Sequence, residues 1–136
     1  MLGPDPESLP DYFRRVTSRS VTVMLVNDTK EQLELDSDTT RLSRGKWGRD
    51  SMIPAVIPPG GSALWRCSSA HVAQGLKGAV TYRFGGKPPH DRVRFAWKNR
   101  YFGPNKYDAV TSRDGCKLLV EGGVGAEALV ALFIGD

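Results

Sequence analysis

Apolar and polar residues alternate along several short segments of the chain, most clearly along residues 92–98, which read RVRFAWK. Val93, Phe95 and Trp97 fall on one side of this segment, and its cationic residues fall on the other. A period of two is typical of a β-strand with one buried face, which β-branched and aromatic residues favour. We therefore predict a strand here, with its aromatic side in the core.

Further segments predict strands of similar length. Segments 62–68 and 79–84 alternate, and segment 116–120 is short and apolar. Segments 21–27 and 128–134 are apolar on both faces, which is typical of strands that lie inside a sheet or are covered on both sides. The periodicity of 128–134 also fits a helix, but its short length and flanking glycines favour a strand.

Turn-forming residues separate these segments. The run 27–30 lies between segment 21–27 and the alternating segment 32–36, so we predict that these two segments pair as a hairpin. Prolines on both sides limit Val56 and Ile57 to a short edge strand, because proline cannot donate to a β-ladder.

The number and spacing of these segments predict the fold class. About eight or nine strands, with no long helix, are typical of an all-β, single-domain antiparallel β-sandwich. We expect the sandwich to span residues 19–136, which is long enough for a sizeable core. Residues 1–18, which are rich in proline, are expected to form an extended or mobile N-terminal leader.

The segment that follows residues 92–98 abandons the alternation. Residues 100–107 read RYFGPNKY and combine aromatic rings, cations and turn formers, which predicts a tight, exposed loop. Exposed aromatic rings favour a partner surface that is hydrated on one side and apolar on the other, such as a lipid headgroup layer. The sequence leaves open the alternative that Tyr101 and Tyr107 fold back onto the edge of the sandwich.

The candidate lipid-binding site combines apolar contacts with cations that would meet phosphate. The predicted apolar contacts are Trp47, Tyr101, Phe102 and Tyr107, and the predicted phosphate partners are Lys46, Arg100 and Lys106. For Trp47 the alternative is a residue at the rim, packed under the proline-rich turn. Trp65 and Trp97 alternate with polar neighbours inside strands, so both are assigned to the core.

Charge adds a mild preference for anionic partners. The formal net charge is +4 and the pI is about 9.3, which favours the surface of a membrane or of a nucleic acid. The basic residues are scattered and form no dense run, so no nucleic-acid partner is expected.

The sequence also bears on where the protein acts. No apolar run approaches the roughly 20 residues that span a bilayer, and the first residues lack the apolar segment of a secretory signal. We expect the protein to be cytoplasmic when made, to be released or secreted without a classical signal peptide, and to lie peripherally on a target membrane.

Motifs for catalysis, cofactors and metals are not found in the sequence. His71 and His90 have no partner at metal-ligand spacing, and the four-residue spacing of Cys67 and His71 gives no nucleophile geometry. The run 122–125 (GGVG) predicts a hairpin loop, because no βαβ unit surrounds it. We therefore expect no enzyme activity, no cofactor and no metal. We also expect free thiols at both cysteines.

Taken together, several of these segments resemble the aegerolysin family, most closely its bacterial crystal-protein branch. The motifs that carry the resemblance are RSVTV at 19–23, NDT at 27–29, LSRGKW at 42–47, IPPG at 57–60, GLKGAVTY at 75–82, VRFAW at 93–97 and the loop 99–107. The resemblance implies a compact β-sandwich that recognises membrane lipids, often sphingolipids. It also implies haemolysin-like, cytolytic toxins, some of which form pores with a larger protein partner, and it is compatible with oligomerisation on the membrane.

Two features set this chain apart from related toxins. Its basic pI departs from the mostly acidic aegerolysins. The sea-anemone actinoporins share a similar sandwich, but this chain lacks their long N-terminal amphipathic helix, so pore formation by the chain alone is not expected.

Three functional hypotheses follow, from different classes. The first is a lipid-binding, cytolysin-like module. The second is a glycan- or protein-binding sandwich of the lectin or adaptor type, because exposed aromatic rings also stack on sugars. The third is a single-stranded nucleic-acid binder that would use the cationic face of Arg92, Arg94 and Lys98.

Overall fold

Two β-sheets face each other across one core. A computed structural model of the chain describes residues 5, 18–49, 51–71 and 73–136. The strands are β1 (Ser20–Asp28), β2 (Leu33–Leu35), β3 (Arg41–Arg44), β4 (Lys46–Trp47), β5 (Val56–Ile57), β6 (Ser62–Ser68), β7 (Leu76–Phe84), β8 (Arg92–Asn99), β9 (Lys106–Thr111), β10 (Lys117–Gly122) and β11 (Glu127–Gly135). The all-β sandwich is confirmed, whereas the leader predicted at residues 1–18 lies almost wholly outside the described residues.

The strands divide into two sheets of different order. The first sheet runs β10-β11-β1-β6-β4, and the second runs β5-β2-β7-β8-β9, with β3 also paired to β7. Within the described part of the chain there are eleven strands rather than eight or nine, because β3, β4 and β9 are additional to those predicted. One pair, β1 with β11, is parallel, whereas the sequence predicted only antiparallel pairing.

The predicted hairpin between residues 21–27 and 32–36 is wrong. Strand β1 pairs with β11 and β6, whereas β2 pairs with β5 and β7 in the opposite sheet. The reason is a buried corner at Asn27, whose side-chain nitrogen donates to the carbonyl oxygens of Glu31 (2.9 Å) and Ile57 (3.1 Å). These bonds satisfy the backbone carbonyl groups of the turn inside the protein. The chain can therefore cross between the sheets instead of folding back on β1.

Alternation predicted the inward side of the long strands correctly. Val93, Phe95 and Trp97 point into the core, and Trp65 and Trp97 are each only 1% exposed. Val56 and Ile57 form the predicted edge strand beside β2. Strand β1, apolar on both faces, lies inside its sheet between β11 and β6.

A single glycine carries the chain from one sheet to the other. Strand β3 ends at Arg44 in the second sheet and β4 begins at Lys46 in the first, so Gly45 alone makes the crossing. Its φ of 111° lies in the left-handed region, and an added Cβ would approach the carbonyl oxygen of Ser68 to 2.7 Å and clash with the side chain of Leu76. Glycine is therefore required here both for conformation and for space.

Both cysteines are free thiols, as predicted. Cys67 is buried in the core, and burial raises the pKa of its thiol to about 12. Across the described ranges, no helix has the length and apolar character needed to cross a bilayer.

Candidate functional site

One end of the sandwich, which we call the near end, gathers the predicted site residues. Ser20 begins β1 opposite Glu127, and β8 ends at Asn99 in the other sheet. The guanidinium of Arg19 donates to the carbonyl oxygen of Tyr101 over 2.7 Å. The start of β1 and the end of β8 therefore lie at the same end of the molecule.

An exposed aromatic pair forms the tip of the near end. The rings of Tyr101 and Phe102 meet edge-on with centroids 4.7 Å apart. Phe102 is 83% exposed, whereas Tyr101 is half-buried. We call residues 100–105 the aromatic loop, and this part of the predicted loop is confirmed as a connection outside the strands.

Contacts at both ends of the aromatic loop hold it in place. The guanidinium carbon of Arg19 lies 4.7 Å from the centre of the Tyr101 ring. At the other end, the Asn105 side chain donates to the carbonyl oxygens of Gly123 and Gly125, each over 2.8 Å. The loop is thus tied to the β10–β11 hairpin, and the aromatic tip is largely ordered before any partner arrives.

The loop prediction is wrong at residues 106 and 107, where strand β9 has already begun. The Tyr107 ring stacks on Phe95 inside the sandwich, with centroids 6.0 Å apart and planes 5° apart. Its hydroxyl donates to the Gly123 carbonyl oxygen (2.8 Å) and accepts from the Asn99 side chain (2.8 Å). Tyr107 thus folds back onto the sandwich, which is the alternative that the sequence left open. Its role as a lipid contact stays a prediction, and this position does not favour that role.

Trp47 and Lys46 lie at the near end, on a strand rather than in the aromatic loop. They form β4, the edge strand of the first sheet, and Lys46 lies opposite Ser68. The indole of Trp47 is 37% exposed and meets Trp97 edge-on, with centroids 6.2 Å apart. The Lys46 ammonium forms an ion pair with Asp5 over 3.5 Å. Their roles as lipid contact and phosphate partner stay predictions.

A groove beside the aromatic loop collects positive charge. Its volume is about 410 Å³. Its charged and aromatic lining consists of Arg44, Lys77, Lys98, Arg100, Tyr101 and Phe102. Among the residues that the structure describes, no carboxylate lines it. We call this the basic groove.

Strand register aligns four of the cations in one row. Lys77 lies opposite Lys98, Lys98 lies opposite Lys106, and Arg44 flanks Lys77 on the other side. The row crosses β3, β7, β8 and β9 on the outer face of the second sheet. Like charges directly opposite one another on neighbouring strands are destabilising, so this arrangement has a cost that folding alone does not explain.

The electrostatics of Lys98 reflect this crowding. Repulsion from Arg100, followed by desolvation and by repulsion from Lys77, Lys106 and Arg44, lowers the pKa of the Lys98 ammonium. Away from the near end, two cations have a carboxylate partner: Arg92 pairs with Asp36 over 2.9 Å, and Arg113 pairs with Asp136 over 3.3 Å. The basic groove differs from these two sites, because none of the described residues that line it carries a carboxylate.

Sequence reasoning identified only part of this arrangement. For the lipid site it selected Arg100, Tyr101 and Phe102, which are contiguous, and Lys106. It did not select Arg44 or Lys77, and it named Lys98 only for the nucleic-acid hypothesis. Alternation did place Lys98 on the outer face of its strand. A search for cations that share one face of neighbouring strands would have found the row once the β7–β8 and β8–β9 registers were known.

Other chemistry considered from the sequence stays outside this site. No group of three or more His, Cys, Asp or Glu side chains in the described part of the chain is placed to hold a metal ion. Residues 123–126 connect β10 to β11, so the predicted hairpin loop is confirmed at 123–125, whereas Gly122 still belongs to β10.

The fold is similar to that of two solved structures. The lipid-binding protein Nakanori aligns over 87% of this chain and 71% of its own, with a TM-score of 0.75 and 15% identity. RahU protein, crystallised in complex with a TRIS molecule, aligns over 90% of this chain and 96% of its own, with a TM-score of 0.60 and 14% identity. At such identities the likeness shows the fold alone. No protein-family model matches the sequence, and no curated protein matches it significantly.

Proposed function

We propose that this protein is a lipid-binding module that docks on membranes through the aromatic loop at its near end. The observation that carries the proposal is the pair of Tyr101 and Phe102, held in edge-on contact on an anchored loop, with the Phe102 ring almost entirely in solvent. The contact with Tyr101 leaves most of the Phe102 side chain in solvent, and an exposed apolar tip on an anchored loop supports a partner surface.

The energetics of insertion support this proposal. Burying a Phe side chain that was exposed is worth about 1.5–3 kcal/mol. Tyr101 adds an amphipathic ring of the kind that sits at headgroup depth. Because Arg19 and Asn105 already hold the loop, little ordering entropy is lost when it inserts.

Charge beside the loop supports the same orientation. The basic groove opens next to Tyr101 and Phe102. Each Lys or Arg brought close to an anionic membrane surface contributes about 1 kcal/mol, and this attraction falls off within a Debye length. A molecule that approaches with its near end forward would therefore present both the apolar tip and its excess cations to the headgroups.

Fold similarity gives separate support at a coarse level. Nakanori, with which this chain shares its sandwich, is described as a lipid-binding protein. The finer parts of the proposal go further: an aegerolysin-type module without enzyme activity, a preference for sphingolipids, cytolysis with a larger pore-forming partner and assembly on the membrane. A leakage assay on sphingolipid vesicles, with and without such a partner protein, tests these parts separately from binding.

The direct test compares two double variants in vesicle flotation across a panel of lipids. Tyr101→Ala with Phe102→Ala should leave the thermal unfolding midpoint close to that of the parent and should weaken vesicle binding by about ten- to a hundredfold. The matched control, Leu64→Ala with Leu119→Ala, removes two exposed apolar side chains from strands of the first sheet and should leave binding unchanged. Absence of binding to every sphingolipid-containing and anionic vesicle would refute the proposal.

A further inference from the structure

We infer that the basic groove is a binding site for a phosphomonoester, a terminal phosphate that carries nearly two negative charges, and that Lys77, Lys98 and Arg44 hold it together with Arg100. That the phosphomonoester belongs to a lipid headgroup rests on the proposed function, whereas the site itself does not. This assignment adds Arg44, Lys77 and Lys98 to the recognition surface and defines the chemistry of its ligand.

The backbone positions the cations for a shared anion. Lys77 and Lys98 are direct cross-strand partners, and Arg44 lies opposite Lys77. Directly opposite residues of antiparallel strands have Cβ atoms about 4.5–5.5 Å apart. Long side chains that start so close together on one face can reach the same phosphate group, while Arg100 adds a planar donor that suits phosphate oxygens.

The groove has an unbalanced charge that an anion would correct. Among the described residues, none of Arg44, Lys77, Lys98, Arg100 and Lys106 forms an ion pair, and no carboxylate lines the groove. Repulsion, first from Arg100, lowers the pKa of Lys98 together with desolvation. A bound dianion would reverse it, so ligand binding should raise the pKa of Lys98.

The same positive charges disfavour binding of a zwitterionic headgroup. Phosphocholine and phosphoethanolamine carry a cation beside a phosphodiester, and that cation would enter a groove with several positive charges and no carboxylate to receive it. A phosphomonoester carries about −1.5 to −2 charges at neutral pH and three strong acceptor oxygens. It therefore neutralises more of the groove and introduces no new repulsion.

The dimensions of the groove fit a headgroup. A volume of about 410 Å³ lies within the roughly 300–1,000 Å³ that is usual for small-molecule sites. Tyr101 and Phe102 form one wall. A phosphate seated among the cations would thus lie next to the rings that we expect to enter the membrane.

The test has a soluble arm and a vesicle arm. Glycerol 3-phosphate is titrated into the protein while the lysine side-chain signals are followed by NMR. Separately, the protein is titrated with phosphatidylcholine vesicles that contain either phosphatidic acid, a phosphomonoester, or phosphatidylglycerol, a phosphodiester, at matched surface charge. We expect a shift at Lys98 with glycerol 3-phosphate, and binding to the phosphatidic acid vesicles about tenfold tighter than to the phosphatidylglycerol vesicles.

Two double variants of equal charge separate the site from general attraction. Lys77→Gln with Lys98→Gln removes the centre of the row and should abolish the preference for phosphatidic acid. Lys87→Gln with Lys117→Gln removes the same formal charge from exposed positions at the opposite end and should keep that preference. Thermal melts verify that both variants are folded, and relief of cation repulsion should keep the first at least as stable as the parent.

Each result then supports or overturns the site. Equal binding to both kinds of vesicle, or an equal loss in both variants, overturns the phosphomonoester site but leaves the lipid-binding proposal standing. Binding of glycerol 3-phosphate in the groove without any vesicle binding supports the site and overturns the proposed function. Tighter binding to a single-stranded oligonucleotide than to phosphatidic acid vesicles overturns the inference in favour of a nucleic-acid partner.

Discussion

The guanidinium carbon of Arg19 lies 4.7 Å from the centre of the Tyr101 ring, and the same guanidinium donates a 2.7 Å hydrogen bond to the carbonyl oxygen of Tyr101. One side chain thus fixes both the ring and the backbone of the aromatic loop. Because Arg19 immediately precedes β1, the loop is tied to the central strand of the first sheet.

We predict that Arg19→Ala loosens the aromatic loop without unfolding the protein. A cation–π contact contributes about 0.5–2 kcal/mol, and a hydrogen bond adds about 0.5–1.5 kcal/mol. Amide hydrogen exchange should become faster at residues 101–105, and vesicle binding should weaken by several-fold. Arg19→Lys is the control, because it keeps the charge. If that variant restores vesicle affinity in full, the loss in Arg19→Ala is one of charge and not of loop order.

A second prediction concerns the crossing between the sheets. Gly45→Ala should lower the free energy of unfolding by about 2–4 kcal/mol, since it combines a left-handed backbone penalty with overpacking against Ser68 and Leu76. Gly115→Ala is the matched control, because Gly115 also has a positive φ (76°) but has no atom within 4 Å of an added Cβ. Urea titration should show a clearly smaller loss for Gly115→Ala, and equal losses would contradict the close packing at residue 45.

Tyr107 gives a third prediction, about stability. Tyr107→Phe keeps the stacked ring but removes the hydroxyl that accepts from Asn99 and donates to Gly123. Since the buried Asn99 amide then lacks its partner, the free energy of unfolding should fall by about 1–3 kcal/mol. Chemical denaturation measures this loss. An unchanged stability together with weakened vesicle binding would instead return Tyr107 to the lipid-contact set.

A fourth prediction concerns alkaline pH. Burial raises the pKa of the Cys67 thiol from 9.0 to about 12, and burial also raises the pKa of the Tyr82 hydroxyl. Both groups are held neutral in the folded state, so their contribution to stability is complete below the unfolded pKa values. It declines as pH rises from about 9 towards 12. The urea midpoint should fall across this range, and the slope should be smaller in Cys67→Ala. A midpoint that is independent of pH from 8 to 11 would contradict this burial.

Local pattern predicted local structure well. Alternation assigned Val93, Phe95 and Trp97 to the core, because which side a residue faces depends only on its own strand. It failed for the pairing of β1, because pairing depends on residues far away in sequence. The amide of Asn27 that turns the chain inward depends on the carbonyl of Ile57, and no window around residue 27 contains that information.

The candidate site divides in the same way. Tyr101 and Phe102 were predictable because a contiguous aromatic loop is visible in the sequence. The row of cations was not, because Lys77 and Lys98 meet only through the β7–β8 register. Tyr107 was assigned to the loop because Gly, Pro and Asn precede it, whereas Phe95 and Gly123 supply the packing and the hydrogen bond that hold it inside.

The parallel pairing of β1 with β11 has a consequence for synthesis of the protein. Ser20 pairs with Glu127 and Asp28 with Gly135. The central strand of the first sheet therefore cannot complete its pairing until almost the whole sandwich has been synthesised. Until then β1, apolar on both faces, has an open edge of the kind that recruits other chains, and such non-local contacts form slowly. The nascent chain therefore has a long interval, before β11 is synthesised, in which a chaperone could hold β1.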